Sequence, residues 1–498
     1  MRLRLLLILS LAFLCWSCKK TEKQYQMTIY ETNAAGDQLS LKKPLKELDQ
    51  IDGTLQLDPE KSYQSILGFG GAFTESSAHL LKQLKPELRT AVLKAYFAEE
   101  GANYSMARTH MNSCDFSLSS YSYAPVENDT ALEHFAIEED REDLIPMIKQ
   151  AQEISKEGFK LLSSPWTAPP WMKDNQAWFG GKLLTEFYPT WANYFVKYQK
   201  DYQAEGIPIW GFTIENEPLG NDAHWESMHF SPEEMALFVK EHLAPTLKEN
   251  QLDPELYVFD QNKGEELAEW SEALLTDTAL LPHIAGTAVH WYASTVKTFD
   301  ASLQETHKLA PDKSIIHSEA CIDAEVPHWK EDDWYWKKEA TDWGYQWAPE
   351  DKKADHPKYV PAYRYARDII GCMNNWVEAW IDWNMVLDPQ GGPNHAKNWC
   401  VAPILVDTAK QEVYKTPLYY VLSHFSKFVR PGAKRIAWNS DLKDLQSTAF
   451  VNPEGEVIVI LFNPTKEPIE LKLALQEQNY FTRISGQAIQ SLLLENKN

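Results

Sequence analysis

Two short stretches place carboxylates where chemistry could use them. Thr213-Ile214-Glu215-Asn216-Glu217-Pro218 sets two glutamates and an amide at the end of one apolar run, and Ile315-Ile316-His317-Ser318-Glu319-Ala320-Cys321 ends another in a single glutamate. Other apolar runs close on Arg108 and then Ser113-Cys114-Asp115-Phe116, on Ser164-Pro165-Trp166-Thr167, on His290-Trp291-Tyr292 and on Ile381-Asp382-Trp383-Asn384. The inventory is carboxylates, amides and tryptophans, with few cations. Two carboxyls facing one another across a sugar suit glycoside hydrolysis: one stays protonated to donate to the leaving oxygen, the other stays ionised to attack or to position water. Flat aromatic rings suit the apolar faces of sugars, and short Asn and Asp side chains suit their hydroxyls.

These stretches need a frame that brings them together. From about Ser65, short apolar runs alternate with longer helical periods, as in βα units. Strands are expected at Ser65–Gly70, Asn103–Thr109, Lys160–Trp166, Ile209–Glu215, Leu256–Asp260, Ala285–Trp291, Ser314–Glu319 and Val377–Trp383. Helical spacing covers Glu75–Glu99, Glu138–Glu157, Thr185–Glu205, Pro232–Lys248, Glu265–Leu275, Phe299–Leu309 and Lys358–Trp376, and Ser231-Pro232 reads as an N-cap followed by proline in the first turn. Eight alternations predict an α/β fold, a (β/α)8 TIM barrel, whose chemistry gathers at the C-terminal ends of its strands. Short alternating patches recur at Gln26–Thr32 and Gly53–Leu57 and again at Asp444–Asn452, Val457–Asn463, Ile469–Leu475 and Gln490–Leu494. The N- and C-terminal segments are therefore expected to build one side β-sandwich. The expected division is 1–18 signal peptide, 19–62 tether and N-terminal sandwich strands, 63–428 catalytic barrel and 429–498 C-terminal sandwich.

Each residue alone is a weak signal, since a glutamate at a strand end is more often surface or ion-paired than catalytic. Glu215 alternates to the other side of its strand from Asn216 and is expected in a structural ion pair or hydrogen bond. Arg108 is read as a partner that holds a carboxylate ionised. Trp171, Trp191 and Trp210 are read as core. The ordered set says more. Gly68-Phe69-Gly70-Gly71-Ala72-Phe73-Thr74, Ser113–Ser117, Ser164–Pro169, Glu215–Pro218, His290–Tyr292, Ser318–Cys321, Asp382–Asn384 through Gly391-Gly392-Pro393-Asn394 and His424–Phe428 resemble, in sequence and order, glycoside hydrolase family 30, nearest its glucosylceramidase (acid β-glucosidase) branch.

That resemblance implies a retaining mechanism through a covalent glycosyl-enzyme, with Glu217 as general acid/base and Glu319 as nucleophile. It implies that Asp115, Trp166, Asn216, Trp383 and Asn398 line a glucose subsite and that His290 and Tyr292 stand close to the carboxylates. Asn216 can bond the sugar 2-hydroxyl, Asp115 can accept from hydroxyls across the ring, and Tyr292 can donate to Glu319. Once Glu319 is glycosylated its charge is gone, and Glu217 can act as base on water. The segment between Glu325 and Lys353, rich in tryptophan, does not align with the lysosomal-type enzyme. It reads either as a surface loop packed on its own aromatics or as a rim shaping the leaving-group subsite.

Composition bounds the rest. The 498 residues carry a net charge of −23, and hydrophobic residues make up 44% of the chain. Nothing here would neutralise nucleic-acid phosphates or an anionic membrane surface, and the chain is too apolar for a disordered one. Seventeen of 19 tryptophans lie between Trp166 and Trp399, which fits a sugar-binding region. Arg2 and Arg4, the apolar run Leu5–Leu14 and then Ser17-Cys18 resemble a bacterial lipoprotein leader. Cys18 is therefore expected as the lipidated first residue of an exported, envelope-anchored protein, an ordinary signal peptide being the other reading. Cys114, Cys321, Cys372 and Cys400 form no CxxC pair. A disulfide is possible, but buried free thiols are the preferred reading.

No cofactor is expected. His317-Ser318-Glu319 supplies half of a zinc-deaminase pattern, but no CxxC follows, and the 14 histidines contain no HExxH. A serine hydrolase lacks its GxSxG elbow. A non-catalytic carbohydrate-binding lipoprotein would keep the aromatics but would not need both Glu217 and Glu319. The resemblance leaves two substrates open, a terminal β-glucosyl residue on a lipid or small aglycone and a β-1,6-glucan cut internally, with related branches taking β-xylosides or β-fucosides, and an acidic pH optimum is expected.

Overall fold

The computed structural model describes residues 25–294, 297–322 and 362–497. The leader with Cys18 and the tryptophan-rich 325–353 segment lie outside the described residues. The N-terminal segment folds as β1 (Tyr25–Asn33), β2 (Ser40–Lys42) and β3 (Gly53–Ser65). In β3, Gly53, Leu55 and Leu57 are buried while Gln56 and Asp58 are exposed, the period of two that a half-buried strand requires.

Eight parallel strands follow: β4 (Gly68–Phe73), β5 (Met106–Met111), β6 (Lys160–Pro165), β7 (Gly211–Thr213), β8 (Glu255–Asn262), β9 (Gly286–His290), β10 (Ser314–Glu319) and β11 (Val377–Asp382). They pair in chain order, and β11 returns to β4 to close a barrel. Every expected barrel strand is present. The first starts later than expected because the sandwich strand β3 claims the chain up to Ser65. β7 is much shorter, so Asn216 and Glu217 stand on the loop beyond it. Gly70 is required where β4 meets β5, since a Cβ there would lie 1.8 Å from the Met106 carbonyl oxygen.

The expected helix Glu75–Glu99 is two helices, Glu75–Gln83 and Pro86–Phe97. Pro86 holds Lys85 in an extended conformation (ψ 144°) and breaks the run. Glu138–Glu157 likewise divides at Asp143 into Glu138–Glu142 and Leu144–Ile154. The Ser231 cap is present with a full capping box: its side chain accepts from Glu234 N–H while Glu234 accepts from Ser231 N–H.

A small sheet of β12 (Val386–Leu387), β13 (Ile404–Asp407) and β14 (Glu412–Lys415) follows the barrel. Then come β15 (Lys434–Ser440), β16 (Gln446–Val451), β17 (Val457–Asn463), β18 (Ile469–Leu475), β19 (Gln478–Ile484) and β20 (Ala488–Asn496). Both termini join one nine-stranded sheet, with β1 between β20 and β2 and β3 between β18 and β15. Leu55, Leu57, Val459, Leu471, Leu473 and Leu492 share its separate core. β15 and β19 are strands that the alternation pattern did not mark. His424 fastens the sandwich to the last helix (Pro417–Ser426), with its two ring nitrogens 2.9 Å from Thr32 Oγ1 and 2.7 Å from Ser491 Oγ. Burial pushes this imidazole down to about 3, so it bonds as the neutral ring.

Candidate active site

Arg108 projects from β5 and is wholly buried. An isolated buried guanidinium is costly, and here each of its three nitrogens finds an acceptor. Nε donates to Ser164 Oγ at 3.0 Å, and Nη2 donates to Asp260 Oδ2 at 2.7 Å and to Asn216 Oδ1 at 2.9 Å. Nη1 donates to Glu319 Oε2. The guanidinium also lies 4.9 Å from the ring centre of Trp166, which stacks on Trp383 at 5.1 Å. One cation thus orders residues from β6, β8 and β10 and from the loops after β6, β7 and β11.

Glu319 ends β10 and accepts from Tyr292 Oη at 2.9 Å through its other oxygen. Burial, and then the charge of Glu217, push its carboxyl above the ordinary value, while His290, Arg108 and the tyrosine hydroxyl pull against that rise. Glu217 follows β7 in the left-handed region at φ 48°, its N–H donating to Asp260 O at 3.0 Å. His290 lies between the acids, with Nδ1 3.1 Å from Glu217 Oε1 and Nε2 2.9 Å from Asp260 Oδ1. Burial alone would lower this imidazole. The charges of Glu319 and Asp260, with the hydrogen bonds, raise it to about 9, so both nitrogens donate. Asp260 is held far below the carboxylate range: burial opposes ionisation, but Arg108 and His290 outweigh it. One carboxylate oxygen of Glu217, one of Glu319 and a ring nitrogen of His290 lie within 4.8 Å of one another.

Glu217 and Glu319 open onto a cavity of about 440 Å³, which Asp115, Trp166, Asn216, Tyr292, Trp383 and Asn398 also line. Asp115 Oδ2 accepts from Asn398 Nδ2 at 3.1 Å, whereas its Oδ1 is buried with no hydrogen-bond partner. Burial, then Glu319, Glu217 and Glu226, raise this carboxyl well above its ordinary value. Of the residues singled out for the site between 108 and 398, all but Arg108 and His290 line this hollow, and those two stand behind it, bonded to Glu319 and Glu217.

Glu215 departs from expectation. Both of its oxygens are buried and lack a hydrogen-bond partner. The nearby Lys173 ammonium donates instead to Thr167 Oγ1, Trp178 O and Ser227 O. Burial therefore raises the Glu215 carboxyl well above its ordinary value despite that charge. Trp191 is core as expected, and Trp171 and Trp210 pack half-buried against core clusters.

Among the described residues two groupings have metal-like spacing: Glu217, His290 and Glu319, and separately His317, Asp368 and Cys372. Neither donor set suits a metal ion, because a protein cation already holds each. His290 is charged in the first, and in the second Lys263 Nζ donates to Asp368 and lies 3.4 Å from Cys372 Sγ.

Sequence reasoning missed Asp260, Glu226 and His395. Asp260 follows a left-handed Phe259 (φ 74°) at a register shift in β8, which turns its side chain against Arg108, a rotation no periodicity marks. Glu226 accepts from Ser113 Oγ at 2.9 Å and lies 3.1 Å from His395 Nε2, joining the loops on either side of Asp115.

A model of the glycosyl hydrolase family 30 TIM-barrel domain matches residues 66–429, and one of the family 30 β-sandwich domain matches 432–492. Lysosomal acid glucosylceramidase of Mus musculus is 34% identical over 450 residues, 88% of this chain and 83% of that protein. An endo-1,6-β-D-glucanase of Neurospora crassa is 27% identical, covering 82% of this chain and 81% of that protein. Among solved structures, SrfJ from Salmonella typhimurium superposes with a TM-score of 0.83 at 28% identity, covering 95% of this chain and all of that one (100%). The endo-β1,6-glucanase BT3312 gives 0.79 at 26% identity, covering 94% and 99%.

Proposed function

The chain belongs to glycoside hydrolase family 30, and from that membership and the site's geometry we propose that it is a retaining, glucosylceramidase-like β-glucosidase acting by double displacement. The observation that carries the proposal is the approach of Glu217 and Glu319 oxygens within 4.8 Å. That approach favours direct attack, where carboxyls stand about 5–5.5 Å apart, over inversion, where about 6.5–9.5 Å separates them around a water.

In the first step Glu319 attacks the anomeric carbon while Glu217 protonates the departing oxygen, and the glycosidic bond breaks. Protonated His290 donates to Glu217 Oε1, which leaves Oε2 to carry the transferable proton. Arg108 and Tyr292 hold both Glu319 oxygens in place for attack. Arg108 also takes Asn216 Oδ1, so the Asn216 amide N–H groups remain to bond the sugar 2-hydroxyl. In the second step Glu217 takes a proton from water, the water attacks the glycosyl-enzyme, and Glu319 is released ionised. Two inversions give retention.

The names of the fungal glucanase and of BT3312 favour a second reading, internal cleavage of β-1,6-glucan. Turnover of an activated aryl β-glucoside, lost in Glu319→Gln, with the first product's anomeric configuration followed by NMR, tests the mechanism. An α-configured first product would sink it. Product profiles on gentio-oligosaccharides, pustulan and glucosylceramide separate the substrates, and monosaccharide alone from every substrate would exclude internal cleavage. Export and lipidation at Cys18 belong to the same proposal. Among the described residues no helix is long and apolar enough to cross a membrane.

A further inference from the structure

Just past Glu319, the stretch Ala320-Cys321-Ile322 meets the end of the loop Asn398-Trp399-Cys400-Val401. Val401 N–H donates to Ile322 O at 2.9 Å in an isolated antiparallel bridge. Although 79 positions separate them, Cys321 Sγ and Cys400 Sγ lie 2.7 Å apart. Both side chains are buried, yet both line the substrate cavity. The double displacement uses neither sulfur. Cys321 Sγ also accepts from Tyr292 Oη at 3.7 Å, whereas Cys114 Sγ accepts from Ser117 at 3.8 Å and Cys372 Sγ lies 3.4 Å from Lys263 Nζ, neither of them beside another cysteine.

We propose that Cys321 and Cys400 are a disulfide-forming pair, a covalent modification site that ties the strand of the nucleophile to the loop that bears Asn398. The oxidant class is a low-molecular-weight disulfide that reaches the pair through the cavity. One thiolate attacks that disulfide, forming a mixed disulfide and releasing one thiolate. The second cysteine thiolate attacks the first cysteine's sulfur, closing the Cys321–Cys400 bond and releasing the other. The two cysteine protons pass to the two departing thiolates, the cysteine pair is oxidised by two electrons and the reagent is reduced by two.

The placement gives the bond a consequence. Asn398 lies two residues before Cys400 and donates to Asp115, while Glu319 lies two residues before Cys321. A closed bond would join the groups that hold the sugar to the group that attacks it, and would constrain a long loop in the unfolded chain.

The test uses the full chain incubated with hydroxyethyl disulfide, or with a dithiol reductant, then alkylated under denaturing conditions and mapped by mass. The expected result is one linked peptide pair containing Cys321 and Cys400, with two hydrogens lost, and a thermal midpoint a few degrees above that of the reduced protein. Cys400→Ser should show the same midpoint in oxidant and reductant. Complete alkylation of both cysteines after oxidation would overturn the pair, and a linked peptide with an unchanged midpoint would overturn the tie. The peptide map requires no turnover, so its failure is distinct from failure of the glycosidase proposal.

Discussion

Tyr292 Oη donates to Glu319 Oε1 at 2.9 Å, while Arg108 donates to Oε2. The hydroxyl favours the ionised carboxylate against a raised value caused first by burial. Tyr292→Phe removes that help, so Glu319 should rise further. The acidic limb of the kcat/KM–pH profile is expected to move to higher pH, with the optimum lowered about 10-fold, the scale of one hydrogen bond to a charged group. An unmoved acidic limb would show that the hydroxyl does not tune Glu319.

Arg108 bonds Asp260 and Glu319 with no solvent exposure on the guanidinium. Arg108→Ala takes the guanidinium from two buried carboxylates, leaving Asp260 to His290 alone, and is expected to destabilise the fold by about 3–5 kcal/mol in denaturant titration. Arg108→Lys should recover part of the stability but little activity, because an ammonium cannot serve the four partners that the planar fork reaches. Full activity in the lysine variant would contradict that ordering role.

Asp115 is buried among acids with Oδ1 unpartnered, and its carboxyl lies well above the ordinary value. A raised acid weakens the fold once pH exceeds its unfolded value, because the charged form is disfavoured only in the native state. Asp115→Asn should therefore raise the thermal midpoint of the ligand-free protein at neutral pH and lower kcat/KM about 100-fold or more through lost hydroxyl recognition. Loss of both stability and activity would count against this account.

His290 is raised from an ordinary 6.5 to about 9. A folded-state value above the unfolded one adds stability that is full below about 6.5 and is lost as pH climbs to about 9, on the order of 3 kcal/mol. Comparing unfolding free energies of the native protein and His290→Asn across that range checks this. The native protein should lose its advantage toward the alkaline end, and parallel curves would refute the linkage.

The sequence by itself determined the barrel's eight strands, the sandwich shared by both termini, and the glutamates, tryptophans and amides at strand ends. Those features are local: alternation, helical spacing and a terminal residue are legible within ten positions of one another. The Ser231 N-cap was legible for the same reason. Closure of the barrel decided the rest. Asp260 reaches Arg108, His290 and Ser318 only because a register shift in β8 turns it, and Glu226 meets His395 169 positions away because two loops converge over Asp115. Glu215 went the other way, since the lysine near it found its hydrogen bonds elsewhere. Such pairings depend on distances across the closed barrel, and a hydrogen-bond partner many strands away leaves no periodic trace in the chain.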